Sequence, residues 1–141
     1  MEPIDPSILP EDGLVLVDSA PIIYVLEDHP KFAPRFQPLF EWHAKGRVRF
    51  AITTLTITEV LTGPLSDDDE YLVRRYRSVF STWQMVPLDP FIAETAARMR
   101  AKYRLKLADA VQAATALVID ADALVTHDRD FSSVSSLLVI S

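Results

Sequence analysis

The 141 residues include no cysteine, so neither a disulfide framework nor a thiolate metal site is available. Histidine is scarce as well. His29, His43 and His127 show no paired ligand spacing, which argues against a zinc site. Any bound metal would then have to sit on oxygen, and that favours Mg²⁺ or Mn²⁺. No apolar run is long enough to span a bilayer, and the first residues are acidic and proline-bearing rather than signal-like. A soluble cytoplasmic protein is the expectation. Nor is there an excess of positive charge: the formal net charge is −6, which by itself disfavours a nucleic-acid partner.

The distribution of charge along the chain weakens that objection. Between Arg74 and Lys106 stand eight basic residues (Arg74, Arg75, Arg77, Arg98, Arg100, Lys102, Arg104 and Lys106) against Asp89 and Glu94. Asp67, Asp68, Asp69 and Glu70 form an acidic knot just before this segment. The basic stretch is either a set of solvated helix faces or a track for a phosphate backbone. Electrostatics therefore permits RNA without requiring it.

Apolar residues make up 49% of the chain, enough for one domain with a sizeable core. Residues 1–13 read as a polar, proline-interrupted arm that is loosely held, and 14–141 as the domain. Leu14 to Val17 is a short buried strand ending in Asp18. Ser19 is placed to cap a helix that Pro21 starts. Phe32 to Lys45 is helical, Gly46 closes it, and Val48 to Thr53 is the next strand. Thr54 to Leu61 opens a helix that Gly63-Pro64 should end. Asp67 to Trp83 has helical spacing, Met85 to Leu88 is a strand, and Asp89-Pro90 begins a helix to about Lys102. An alanine-rich helix covers Leu107 to Asp120, and Ala123 to Thr126 is a strand. Asp128 to Ser133 is a turn region, and Leu137 to Ile140 is the last strand. This alternation predicts a three-layer α/β/α sandwich with a mainly parallel sheet, and no internal repeat interrupts it. In such sheets the ligand site lies beyond the carboxyl ends of the strands.

Acidic residues fall at that edge. Asp18 follows the first strand, and Asp128 lies just past the strand at Ala123. Glu59 and Asp109 sit near the beginnings of helices. Clustered carboxylates raise one another's pKa and oppose folding, and a divalent cation reverses that repulsion. The cation can also lower the pKa of a bound water and clamp a phosphate oxygen. Each residue has a plainer reading. Thr56 and Glu59 have capping-box spacing, and Asp109 could cap its helix with Gln112 reaching back. Asp18 and Asp128 could be turn formers.

Four stretches carry a family resemblance. Val17-Asp18-Ser19-Ala20-Pro21-Ile22-Ile23-Tyr24 is similar to the opening motif of the PIN-domain nucleases, among them the VapC toxins. Thr54-Leu55-Thr56-Ile57-Thr58-Glu59-Val60-Leu61 resembles the segment carrying that family's second acid. Leu105 to Leu117, with Leu107-Ala108-Asp109-Ala110 and Ala113-Ala114-Thr115-Ala116-Leu117, resembles its third-acid element. Leu124-Val125-Thr126-His127-Asp128-Arg129-Asp130-Phe131 resembles its closing element. The likeness spans about Leu14 to Ile140.

The resemblance implies a PIN-like fold over 14–141 and a Mg²⁺- or Mn²⁺-dependent ribonuclease with Asp18, Glu59, Asp109 and Asp128 as its acids. Asp18, Asp109 and Asp128 would be the metal ligands, with Asp130 the second choice for the fourth acid. Thr126 matches a hydroxyl position of the same pocket and is expected to bind substrate. Ala20 stands where the family often has asparagine, which removes one hydrogen-bonding group. Arg98, Lys102 and Lys106 are expected to meet the RNA backbone, where phosphate contacts give affinity but little sequence information. The resemblance further implies an antitoxin partner and a homodimer, for which Tyr24, Phe36, Phe40, Trp42, Tyr71, Tyr76 and Phe80 are candidate contacts. Alternatives are a PIN-like module that binds RNA or protein without cutting, and an RNA-processing nuclease outside any toxin–antitoxin pair. A receiver-like signalling domain is disfavoured, because it needs an acidic pair after the first strand and a late strand-end lysine.

Overall fold

Runs of valine, leucine and isoleucine become the strands β1 (Gly13–Val17), β2 (Val48–Thr53), β3 (Gln84–Val86), β4 (Ala123–Val125) and β5 (Val139–Ile140). They form one sheet in the spatial order β3-β2-β1-β4-β5, and each neighbouring pair is parallel. The computed structural model describes residues 2–127, 131, 134 and 136–141. The helices are α1 (Ser19–Leu26), α2 (Ala33–Ala44), α3 (Thr54–Ser66), α4 (Glu70–Phe80), α5 (Pro90–Tyr103) and α6 (Leu107–Val118).

Strand alternation divides the core in two. Val15 and Val17 of β1, with Phe50 and Ile52 of β2, meet Ile22, Leu26, Phe36, Leu39, Val60, Tyr76 and Phe80 from α1 to α4. Leu14, Leu16 and Ala51 point the other way, against Ile92, Ala96 and Met99 of α5 and the alanine face of α6. Small side chains on α6 let it lie close to both the sheet and α5. The molecule is thus the expected three-layer sandwich. Its strand order reverses at β1, so the edge beyond β1 and β4 is the topological switch point where ligands bind in such sheets.

Several local expectations are corrected. The arm is not loose: Ile4 and Leu9 are buried, the Ile4 N–H donates to the Arg35 carbonyl, and a short 3-10 turn covers Pro6–Ile8. Two well-placed apolar residues were enough to anchor a segment whose prolines suggested a tail. Helix α3 runs through Gly63-Pro64 to Ser66, since a proline so near the end forfeits one backbone bond and the last turn closes around it. Asp18, not Ser19, is the N-cap of α1, and Pro21 falls in the first turn, where its missing N–H is not needed. The aromatics named as dimer candidates mostly fill the core, the plainer role for such residues. Phe36 and Tyr76 are fully buried, Phe80 is nearly so, and Tyr71 alone of that set is largely exposed.

Candidate active site

Asp18 is the centre of the carboxyl edge. Its backbone N–H donates to the Val125 carbonyl at 2.8 Å and extends the β1–β4 ladder one residue past β1. Because Leu16 pairs with Ala51 and Val17 with Val125, Asp18 comes level with Thr53 on one side and Thr126 on the other. Its side chain is half-buried and held from several directions. Oδ1 accepts from the Ser19 N–H at 2.8 Å and from Gln112 Nε2 at 3.1 Å, and Oδ2 accepts from Thr126 Oγ1 at 2.8 Å. Hydrogen bonds to a charged oxygen are the strong kind, so the carboxylate is well fixed before any ligand arrives.

Glu59 lies on α3, which packs against α1. It is an exposed residue, yet its carboxyl is shielded enough that burial pushes its pKa up. The negative charge of Asp18 adds to that rise, and a hydrogen bond with the Ser19 side chain opposes it. Asp18 and Glu59 therefore share one electrostatic neighbourhood. The capping-box role is not what Glu59 does in this position, because Thr53 caps α3 and its hydroxyl accepts from the Thr56 N–H at 3.1 Å. Threonine one residue after a strand's last apolar position serves that purpose well.

Asp109 stands in the first turn of α6, whose N-cap is Lys106, so it is not the cap either. A carboxylate there is favoured by the helix dipole. It is half-buried, with Oδ2 shut off from solvent. Gln112 follows three residues later on the same helical face and touches Asp18, which brings the start of α6 to the β1 edge. Asp18 and Glu59 thus share one edge, and Asp109 lies one helical turn before Gln112, the residue that ties α6 to Asp18. Asp128 and Asp130 lie outside the described residues.

Thr126 is fully buried. Arg98 pairs with Glu94 at 2.7 Å on the exposed side of α5, and Lys102 Nζ lies over the Tyr103 ring at 5.1 Å. Lys106 immediately precedes α6 and so borders the turn that carries Asp109. Two features were not anticipated from sequence. Gln112 does not reach back to a helix end but sideways to Asp18 and to Thr56. A single glutamine within a run of buried alanines was the available signal. His127 joins its Nδ1 to the Tyr24 hydroxyl at 2.8 Å and packs on Phe32 and Phe36, and nothing in the spacing of these residues foretold it.

The donors suit a hard cation. Those at hand are carboxylate oxygens, and Mg²⁺ is commonly held by one or two carboxylates while the rest of its shell is water and substrate phosphate. Among the described residues no three acidic or histidine side chains form an all-protein cage. Burial first, and the Asp18 charge second, raise the Glu59 carboxyl, and a cation between the two acids would offset the second of these.

Comparisons with known proteins agree with this fold. A family model described as PIN domain matches residues 15–137. The chain resembles the structure of a toxin–antitoxin complex from Klebsiella pneumoniae, with 26% identity and a TM-score of 0.72, over 90% of this chain and 96% of that one. It shares its fold with VapBC2 from Rickettsia felis bound to a DNA fragment from their promoter, at 16% identity and a TM-score of 0.74, over 90% and 97% of the two chains. FitAcB from Neisseria gonorrhoeae has the same fold at 17% identity and a TM-score of 0.67, over 90% and 96%. No curated protein sequence matches the chain. Among the described residues no helix is long and apolar enough to cross a membrane.

Proposed function

The chain belongs to the PIN-domain family, and from that premise we propose that it is a Mg²⁺- or Mn²⁺-dependent endoribonuclease serving as the toxin of a type II toxin–antitoxin pair. The observation that supports the nuclease reading is the fixed carboxylate of Asp18 at the switch point, with the Glu59 carboxyl in its electrostatic neighbourhood and α6, which carries Asp109, tied to it through Gln112. The likeness to the Klebsiella pneumoniae toxin–antitoxin complex supports the toxin role and an antitoxin partner.

In this reading Asp18 and Asp109 hold the cation, with Asp128 as the third ligand. Once bound, the ion would supply an activated water and a clamp on the scissile phosphate. The protein's own groups do the remaining work. Ser19, Gln112 and Thr126 hold the Asp18 carboxylate at a set angle, and Thr126, being fully buried, acts by holding it rather than by touching RNA. Glu59, whose carboxyl is raised by burial and by the Asp18 charge, would in this reading take a proton from the attacking water and return one to the leaving oxygen. Lys102 and Lys106 meet the RNA backbone, and Arg98 joins them when it exchanges Glu94 for a phosphate. A homodimer belongs to the same reading, with Tyr71 and Leu65 as exposed apolar contacts near the α3–α4 corner.

The experiment is cleavage of a structured RNA by purified protein in Mn²⁺ and in EDTA, paired with induced expression in growing cells. Cleavage in Mn²⁺ alone and arrest of growth are expected. RNA left intact under both conditions would refute the nuclease reading, and cleavage without growth arrest would refute the toxin role.

A further inference from the structure

We infer that Gln112 is a positioning residue, which sets the Asp18 carboxylate for metal binding by cross-linking it to α3 through Thr56. The inference rests on the nuclease reading for its chemical purpose, and on the hydrogen bonds of this chain for its substance. Gln112 is only 1% exposed and sits among the buried residues Ala110, Val111, Ala113 and Ala114. A glutamine is unfavourable in such surroundings unless its amide is fully bonded.

Gln112 is not fully bonded. Nε2 gives both of its hydrogens to other elements, one to Asp18 Oδ1 at 3.1 Å and one to Thr56 Oγ1 at 2.7 Å. Oε1 is buried and has no hydrogen-bond partner among the described residues. The amide cannot be turned over to satisfy Oε1, because that would set it against the Asp18 carboxylate. An apolar side chain of the same length would pack at this position without stranding an acceptor. Stability alone therefore accounts poorly for glutamine here, whereas its two donors have a specific purpose. They fix one oxygen of Asp18 from the α6 side, while the Ser19 N–H fixes it from α1 and Thr126 fixes the other oxygen.

The same residue sets the spacing of the acids. Thr56 is three residues from Glu59 on α3, and Gln112 is three residues from Asp109 on α6, so the 2.7 Å bond ties together the two helices that carry these acids. Thr56 is itself braced, its hydroxyl lying 3.0 Å from that of Thr53 at the end of β2. Partners of this kind behind a metal-binding carboxylate typically change metal affinity or activity by roughly 10- to 100-fold when removed.

The test compares wild type with Gln112→Met, which keeps the length and loses both donors, and Gln112→His, whose Nε2 can still donate one bond. Two properties are read: the Mn²⁺ concentration giving half-maximal RNA cleavage, and the rise in Tm that Mn²⁺ produces over EDTA. Gln112→Met should need roughly 10- to 100-fold more Mn²⁺. It should lose kcat with little change in KM for RNA, and melt below wild type in EDTA, since a charge-assisted bond to Asp18 is lost. Gln112→His should recover part of the difference. An Mn²⁺ dependence identical to wild type in both readouts, whatever the Tm in EDTA, would overturn the inference and leave the nuclease reading standing. Wild type that fails to cleave would sink the nuclease reading, and the Mn²⁺-induced Tm rise would still decide the matter for Gln112. If Gln112→Met does not fold, Thr56→Val removes the other end of the cross-link. Weakened Mn²⁺ binding in that variant supports the inference, and unchanged binding overturns it.

Discussion

Replacing Asp18 with asparagine separates two things that one residue does. Asparagine caps helices about as well as aspartate, so a residue serving only as the N-cap of α1 would tolerate Asp18→Asn with little loss. The structure predicts more. Three donors converge on the carboxylate: the Ser19 N–H, Gln112 Nε2 and Thr126 Oγ1. The asparagine oxygen can keep the first two, and the Thr126 hydroxyl can rotate to accept from the new amide. All three bonds survive, but each falls from the charged class, about 1.5–3 kcal/mol, to the neutral class, about 0.5–1.5 kcal/mol. The summed loss is about 3 kcal/mol on that basis. Relief of repulsion with Glu59 returns only part of it, because Glu59 is exposed and screened. A net destabilisation of about 2 kcal/mol is expected, lowering Tm by several degrees. Urea unfolding in EDTA at pH 7 measures it. A midpoint unchanged from wild type would refute the claim that these donors engage a charged Asp18.

Glu59→Gln bears on the same site through pH. Because the folded protein holds the Glu59 proton more readily than the unfolded chain does, metal-free stability should fall as pH rises from the ordinary carboxylate value through the raised one. The glutamine variant should lose that portion of the pH dependence in denaturation curves. Thr53→Val removes the cap of α3 and should destabilise by about 1–2 kcal/mol in urea, with the Thr56 N–H left unsatisfied. Arg104 closes α5 in the left-handed region at φ 56°, which costs a side chain about 1–2 kcal/mol, so Arg104→Gly should raise stability by about 0.5–1 kcal/mol after the glycine entropy penalty. Lys102→Ala with Lys106→Ala should weaken RNA binding and flatten its salt dependence by up to about two charges, as filter binding across salt concentrations would show.

The layered fold was legible in sequence because its strands are short apolar runs that stop abruptly, at Asp18 after β1 and at Thr126 after β4. A parallel sheet covered on both faces requires such runs, and the alternating helices require the layers. The candidate acids Asp18, Glu59 and Asp109 stand out in sequence through their motifs, and the fold puts Asp18 at a strand end and the other two on α3 and α6. What holds them was not legible. Gln112 stands three residues after Asp109, a spacing that imitates a local cap, while its actual partner Asp18 is 94 residues away in the chain. Local spacing cannot distinguish the two, since the choice is made by how α6 packs on the sheet. The same limit applies to Phe36 and Tyr76, whose burial depends on which helix covers which strand, and to Ile4 and Leu9, which are core residues only once the sheet exists to receive them.

The most direct test of the central claim is RNA cleavage in saturating Mn²⁺ by Asp109→Asn beside wild type. Asp109 is not the cap of α6, so the substitution leaves the helix start its cap while it removes the charge proposed to hold the metal, along with a dipole interaction of about 0.3–1 kcal/mol. The protein should stay folded while cleavage falls by orders of magnitude, because the activated water and the phosphate clamp both depend on the cation. A folded Asp109→Asn protein that cuts RNA at the wild-type rate would contradict the account.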